Sequence, residues 1–527
     1  MYESKEKYLQ LIETLNRVGV ALSAEKDHNR LLQMILTSAM DLTIADAGTL
    51  YLVHKESKLS FAIIANKSLH IEASKVFETS FPVISVPLYT KGIPNKSNIA
   101  SYCYHENKTV SIDDAYSAQG FDFSGTRSAD KRLGYHSKSF LTIPLRDHTS
   151  KIIGVLQLIN ALDEKTGKVI AFPEERILIA ESLASQAAII LTKQDLILAQ
   201  KKLFEALLHL IAKAIDEKST HTSKHCSRVP VLTIMIANSI NQASTGPFRD
   251  FRLSKDQFDE LVIAAWLHDC GKIVTPDYIM NKSTKLETLT DRIEVIHERF
   301  EILKRDAKIE FLEKSNNAAT AAERQIIKNE YDKKIDFLDE SFDFIKQMNL
   351  GSETLLPKDK ARIKAIARDL YYYSGSERKP LLSKREVENL TVSRGTLNEH
   401  ERAIIKDHVR ITQTMLKSLP YPDYLKNVPE IAGSHHERVD GTGYPDGKTR
   451  NDMSIQARIL AIADIFEALT SADRPYKKPN SLKEVLSIMQ DMKNTGHIDP
   501  DIYDIFINDK IYLNYALQYL SPEQIDT

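Results

Sequence analysis

The chain has 527 residues, 42% hydrophobic and 27% charged, a length that suggests about three domain-sized units. Its 70 Lys and Arg against 72 Asp and Glu leave a net charge of −2, which argues against a bulk nucleic-acid or membrane-surface binder but leaves room for a small anion in a local pocket. Cys103, Cys226 and Cys270 are too few and too far apart for a disulfide framework or a thiolate metal site, so a reducing, cytoplasmic compartment is expected. No apolar run approaches the roughly 20 residues of a membrane span, and the first residues lack the apolar segment of a signal peptide.

Residues 28–42 carry Leu31, Leu32, Ile35, Leu36, Ala39 and Leu42 at helical spacing. Short strands are expected at 48–53, 59–65, 109–112, 139–145 and 152–159, as in an antiparallel sheet. The Ser-, Asp- and Gly-rich segment 115–134 reads as a mobile loop, and a long helix is expected from near Pro173. No Pro or Gly interrupts residues 175–218. There Leu196, Leu203 and Leu210 fall seven apart, with Ala199, Ala206 and Leu207 filling the turns between. That heptad suits a parallel two-helix connector between two folded units, or equally one helix packed on its own domain. The connector is preferred for its position. Residues 282–350 interleave charge with Ile293, Val295, Ile296, Phe300, Leu303 and Phe311, the mark of helices with a solvated face. Segment 351–394 reads as polar and irregular.

Ten of the 16 histidines follow residue 200. Imidazole and carboxylate without thiolate suit iron, manganese or zinc in a hydrolytic site. In Leu267-His268-Asp269-Cys270-Gly271-Lys272, a helix would deliver His268 and Asp269 at its end, Gly271 would let the chain break, and Lys272 would return to the face of His268. The same pair could simply cap a buried helix. An Asp can bridge two cations because it has two oxygens. His435 and His436 precede a rigid turn shaped by Gly441, Gly443 and Pro445. Asp464 reads as one acid inside an apolar helix, costly unless paired or metal-bound. His225, followed by Arg228 and Val229, has His221 one helical turn before it.

H-x-x-R-V from His225, H-D-x-G-K from His268, H-H-E-x-x-D-G-x-G-Y-P from His435, and the run Asp464 to Thr470 followed by Asp473-Arg474-Pro475-Tyr476 stand in the order of a known family. Residues of about 203–515 resemble the HD-GYP cyclic dinucleotide phosphodiesterases, a branch of the all-helical HD metal hydrolases. The resemblance implies His225, His268, Asp269, His408, His435, His436 and Asp464 as ligands of two divalent ions, iron or manganese, with Asp269 bridging and His221 a candidate ligand of a third. It implies Lys272 and Asp269 as catalytic, with Lys272 beside the scissile phosphate, and Arg474 and Lys477 as substrate-binding cations. Of His297, His400 and His408, the last fits the family's helix ending in a ligand shortly before the paired histidines. The Gly443-Tyr444-Pro445 loop, which names the family, is expected to serve structure and partner contact, for example with a diguanylate cyclase.

A hairpin over 145–161 with Gly154 and Val-Leu-Gln-Leu-Ile-Asn, then Phe172-Pro173-Glu174-Glu175 opening a helix, resembles a GAF domain, a small sensory α/β module. Cyclic-nucleotide-binding members have Asn-Lys where this chain has Asn160-Ala161, so the ligand of this domain stays open. The fold class expected is multidomain. An α/β GAF domain at 15–193, an antiparallel sheet flanked by helices, leads through a helical connector at 175–218 into an all-α HD-GYP domain at 203–515, with a helical insertion at about 285–394. The resemblance implies a cytoplasmic, GAF-regulated homodimer that hydrolyses cyclic di-GMP to pGpG and on to GMP. Another cyclic dinucleotide such as cyclic GMP–AMP, or a non-catalytic sensing and docking module, are the alternatives.

Overall fold

The computed structural model describes residues 2–54, 57–75, 85–218, 224–351, 354–471 and 479–526. His221, Arg474 and Lys477 lie outside the described residues. The chain divides into two compact units, residues 1–203 and 204–527.

In the first unit, Asp27 caps the helix His28–Thr43 by accepting from the Arg30 amide at 2.8 Å. That helix lies on an antiparallel sheet ordered Ile71–Lys75, Lys58–Asn66, Ala45–His54, Ile152–Leu162, Phe140–Arg146 and Val110–Ile112. Strand Ala45–His54 is buried almost without alternation because both faces of the sheet are covered. Leu31, Ile35 and Leu36 pack with Leu50, Leu156, Leu183 and Ala187 on one face. Tyr51, Leu59, Cys103 and Val155 pack on the other. A Cβ at Gly48 would stand 2.8 Å from Leu36, so its absence sets how closely helix and sheet approach. The segment expected as a mobile loop contains the helix Ser124–Leu133, which Gly134 ends at φ 64°. Among its residues only Asp130 is buried, so no apolar stripe announces it. Asn160, at φ 57°, accepts from the Lys138 amide at 2.7 Å and donates to the His136 carbonyl at 2.8 Å, so its amide is engaged within the fold.

The long helix runs Glu174–Lys218. Its Ala180, Leu183, Ala184, Ala187 and Leu191 belong to the core of the first unit, while Ile189, Leu196, Leu203 and Leu210 are each more than half exposed.

The second unit is built around the helix Ile455–Thr470, which is buried along most of its length. Helices His225–Gln242 and Lys255–Leu267 pack against it through Val229, Leu232, Leu261, Ala264, Ile459 and Ala463. The insertion has its own core, including Leu286, Ile296, Phe300, Ile345, Ile363, Leu381 and Leu390. Its helices Ile293–Asn317 and Ala321–Asn349 run antiparallel, tied by Lys334 to Glu310 at 2.9 Å and by stacked Phe311 and Tyr331 rings at 4.8 Å. The segment expected to be irregular instead holds the helix Pro357–Asp369, a hairpin of Tyr371–Ser374 with Glu377–Pro380, and the helix Lys384–Leu390. The insertion is therefore not purely helical. Pro357 at the first helical turn and a Ser383–Glu386 capping box start the two helices. At the base of the insertion, buried Lys282 donates to both oxygens of Glu401 at 2.8 Å, in the helix Glu399–Lys406 that precedes His408.

Candidate metal centre

Among the described residues, five histidines and two aspartates meet on the elements of the second unit. His225 opens the helix His225–Gln242, and His268 caps the helix Lys255–Leu267 just before Asp269. His408 opens the helix His408–Lys417 rather than ending the one before it. His435 and His436 follow the short helix Val428–Ala432, and Asp464 comes from the central helix. His297 lies half-exposed in the insertion helix, beside Phe342, and His400 is exposed, so of the three candidates only His408 joins the cluster.

Gly271 has a use other than breaking the helix. A Cβ there would fall 2.1 Å from the His408 carbonyl oxygen and 2.7 Å from the Thr412 amide nitrogen. Its own amide donates to the Thr412 hydroxyl at 2.9 Å. The loop carrying Asp269 can press against the His408 helix only with glycine at this position.

Asp269 presents its two oxygens to two sets of groups. Oδ1 lies 3.2 Å from His408 Nε2 and 3.9 Å from His435 Nε2. Oδ2 lies 3.4 Å from His268 Nε2, 3.6 Å from His225 Nε2 and 2.5 Å from Lys272 Nζ. Asp464 Oδ1 closes the second set, 3.1 Å from His225 Nε2 and 3.6 Å from His268 Nε2. Three ligand-type groups follow from this arrangement: His408–His435–His436, His225–His268–Asp464, and His268–Asp269–His435, each with donor atoms within 4.8 Å of one another.

The ring orientations share one rule. The Nδ1 of His268, His408 and His435 donates to the carbonyl three residues earlier, those of Ala265, Ile405 and Ala432, at 2.8, 2.6 and 2.6 Å. A carbonyl cannot donate, so the proton is fixed on Nδ1 and the Nε2 lone pair points inward. Those three Nε2 atoms and Asp269 Oδ1 are buried and have no hydrogen-bond partner among the described residues. Unpartnered polar atoms in a buried site are costly, and four converging ones have the donor chemistry of a divalent-cation site. The residues present fit such a group.

The electrostatics agree. Burial opposes charge on His225, but hydrogen bonds to Asp464 and Glu467 raise its imidazole to about 10. Burial likewise opposes charge on His268, but Asp269 and Asp464 raise it to about 9. Burial would lift Asp269, yet Lys272 and His268 hold it well below the usual carboxylate range. Burial pushes His435 well below its ordinary value and His436 down to about 4. Asp269 and Asp464 thus face His225 and His268 across contacts that a metal would take over.

Two neighbours were given no part in the site itself by the sequence. Glu467, buried and one turn after Asp464, accepts from His225 Nδ1, although the run containing it reads as carrying one acid. Tyr444 of the Gly443-Tyr444-Pro445 loop stacks on His436 at 4.9 Å, with the Lys406 ammonium 5.3 Å from its ring centre. That tyrosine faces the site.

The comparisons accord with this division. Residues 27–191 match the GAF domain family and residues 384–502 match the HD domain family, so the chain carries a GAF domain followed by an HD domain. It is 40% identical over 113 residues to the 3′3′-cGAMP-specific phosphodiesterase 1 of Vibrio cholerae, covering 21% of this chain and 25% of that protein. It is 40% identical over 95 residues to the cyclic di-GMP phosphodiesterase response regulator RpfG of Xanthomonas campestris pv. campestris, covering 18% and 25%. A third relative, a cyclic di-GMP phosphodiesterase of Thermotoga maritima, is 35% identical over 113 residues, covering 21% and 30%. The chain thus spans about a quarter of the length of the curated relatives it matches. No helix of the described residues is long and apolar enough to cross a membrane.

Proposed function

We propose that this chain is a metal-dependent phosphodiesterase that opens cyclic di-GMP to pGpG and carries it on to GMP. The observation that carries the reading is the convergence of His268 Nε2, His408 Nε2, His435 Nε2 and Asp269 Oδ1, four buried and unpartnered donors, in one site. Two divalent ions, iron or manganese, would be held by His225, His268, Asp269, His408, His435, His436 and Asp464, and would supply Lewis-acid charge on the attacking and leaving sides of the phosphorus. Asp269 divides its oxygens between the two groups of histidines. Lys272, its charge held by Asp269 against the cost of burial, sets a fixed cation beside the place of the phosphoryl oxygens. Arg474 and Lys477 would grip the phosphates from the segment outside the described residues. His221 would serve a third, weaker ion.

The rest of the reading concerns regulation. The GAF domain holds a cavity of about 580 Å³ lined by Thr49, Tyr51, Phe61, Asp130 and Gln157 among others, large enough for a small effector. Exposed Ile189, Leu196, Leu203 and Leu210 repeat every seven residues, the spacing of a parallel two-helix seam in a homodimer. The enzyme would work in the cytoplasm, and the loop around Gly443 would meet a diguanylate cyclase.

A second substrate is favoured by the 40% identity to a 3′3′-cGAMP-specific relative. Purified full-length protein, loaded with manganese or ferrous iron and given cyclic di-GMP, 3′3′-cGAMP and cyclic di-AMP in turn, separates the readings by chromatography of the products. Linear pGpG from cyclic di-GMP supports the first. Selective opening of 3′3′-cGAMP favours the second, and no product from any of them leaves a sensing module.

A further inference from the structure

His268, His408 and His435 each fix Nδ1 on a carbonyl of the preceding turn. His225, the first residue of its helix, is held by a side chain. Its Nδ1 meets the Glu467 carboxylate instead. Glu467 stands three residues after Asp464 on the central helix, so the two acids share one face. Asp464 approaches His225 Nε2 at 3.1 Å while Glu467 holds the opposite nitrogen. Arg228, three residues after His225 and so one turn along, reaches the other Glu467 oxygen at 3.6 Å. That contact gives the Arg of the H-x-x-R-V run a structural use. Glu467 is 1% exposed, and a buried carboxylate is tolerated only where such partners compensate it.

The two halves of the centre are therefore built differently. The His408–His435–His436 group rests on backbone carbonyls where its supports are seen, while in the His225–His268–Asp464 group His268 rests on a carbonyl and His225 on a charged side chain. A carboxylate behind an imidazole fixes the ring and its tautomer and makes the facing nitrogen a stronger donor. We infer that Glu467 is a positioning residue that sets the occupancy of the metal position formed by His225, His268 and Asp464, leaving the position formed by His408, His435 and His436 to fill independently.

This inference rests on the metal-dependent reading above, and one experiment separates the two. Full-length wild type, Glu467→Gln and Glu467→Ala are stripped with a chelator and titrated with Mn²⁺. Bound metal is counted after gel filtration, and thermal unfolding of each metal-free protein is recorded. Wild type should hold about two ions per chain. In Glu467→Gln, which keeps shape and an acceptor for His225 but loses the charge, one class of site should weaken by about ten- to a hundredfold while the other keeps its affinity. Glu467→Ala should weaken the same class further. Wild-type stoichiometry and affinity in both variants would overturn the inference. So would equal weakening of both classes in step with a lower unfolding temperature, the mark of a merely structural role. Failure of wild type itself to bind metal would instead overturn the underlying functional reading.

Discussion

Lys272 Nζ lies 2.5 Å from Asp269 Oδ2, the oxygen that also faces His225 and His268. The two residues are adjacent in space but should fail differently. Asp269→Asn removes charge from the one residue, among the described residues, whose oxygens address both histidine groups, so metal content should fall with turnover. Lys272→Met removes a cation and no ligand. It should keep the metal and lose turnover by about 10²–10³-fold. Metal analysis beside single-turnover kinetics checks this. Equal metal loss in both variants would contradict the roles given to them.

Gly271→Ala should damage the centre without touching a ligand. The new methyl would meet the His408 carbonyl at 2.1 Å, and backbone cannot yield as a side-chain tip would. Overpacking of this kind costs about 1–3 kcal/mol or more. Urea denaturation should show the loss, and the displaced His408 should lower metal affinity.

The insertion carries its own acid-sensitive element. Burial would raise Glu386, but hydrogen bonds from Arg299, the Ser383 amide and Arg292 bring its carboxyl down to about 2. A folded-state value below the unfolded one stabilises above the unfolded value. That stabilisation fades as pH falls from about 4.5 toward 2. Its size is on the order of 2–3 kcal/mol. Glu386→Gln should therefore weaken the insertion at pH 7 and lose much of its difference from wild type near pH 2. Hydrogen exchange across residues 286–390, pulse-labelled after equilibration at each pH, reads this.

Changing Leu203 and Leu210 to Glu places charge on two of the four exposed heptad positions. The full chain should shift from dimer to monomer in sedimentation velocity and lose coupling between the GAF domain and hydrolysis. A dimer of unchanged stability would assign the stripe to another use.

Much of this was legible because chemistry constrains types and spacings. His268 and Asp269 sit at a helix end, as the apolar run before them requires, while Lys272, expected on the face of His268, pairs with Asp269 from the 3-10 turn that follows. The first-unit strands follow from short β-rich runs, and their pairing places 140–146 against 152–162. Glu467 was hidden because its partner His225 lies 242 residues earlier, and an acid on an apolar helix does not name its partner. The Asp-x-x-Glu spacing was the available signal. The helix Ser124–Leu133 was hidden by having no buried apolar face, although Gly134 marks its end. In the insertion, Tyr371, Tyr372 and Tyr373 before Gly375, at φ 64°, signalled the hairpin that charge density nearby obscured.

The central claim is best tested by following hydrolysis and metal content together in one preparation of full-length protein. Cyclic di-GMP should be opened to pGpG by the purified protein, lost in step with metal on chelation, and opened again when manganese or ferrous iron restores about two ions per chain. Undiminished hydrolysis by fully stripped protein, or no hydrolysis of any cyclic dinucleotide by protein holding both ions, would contradict it.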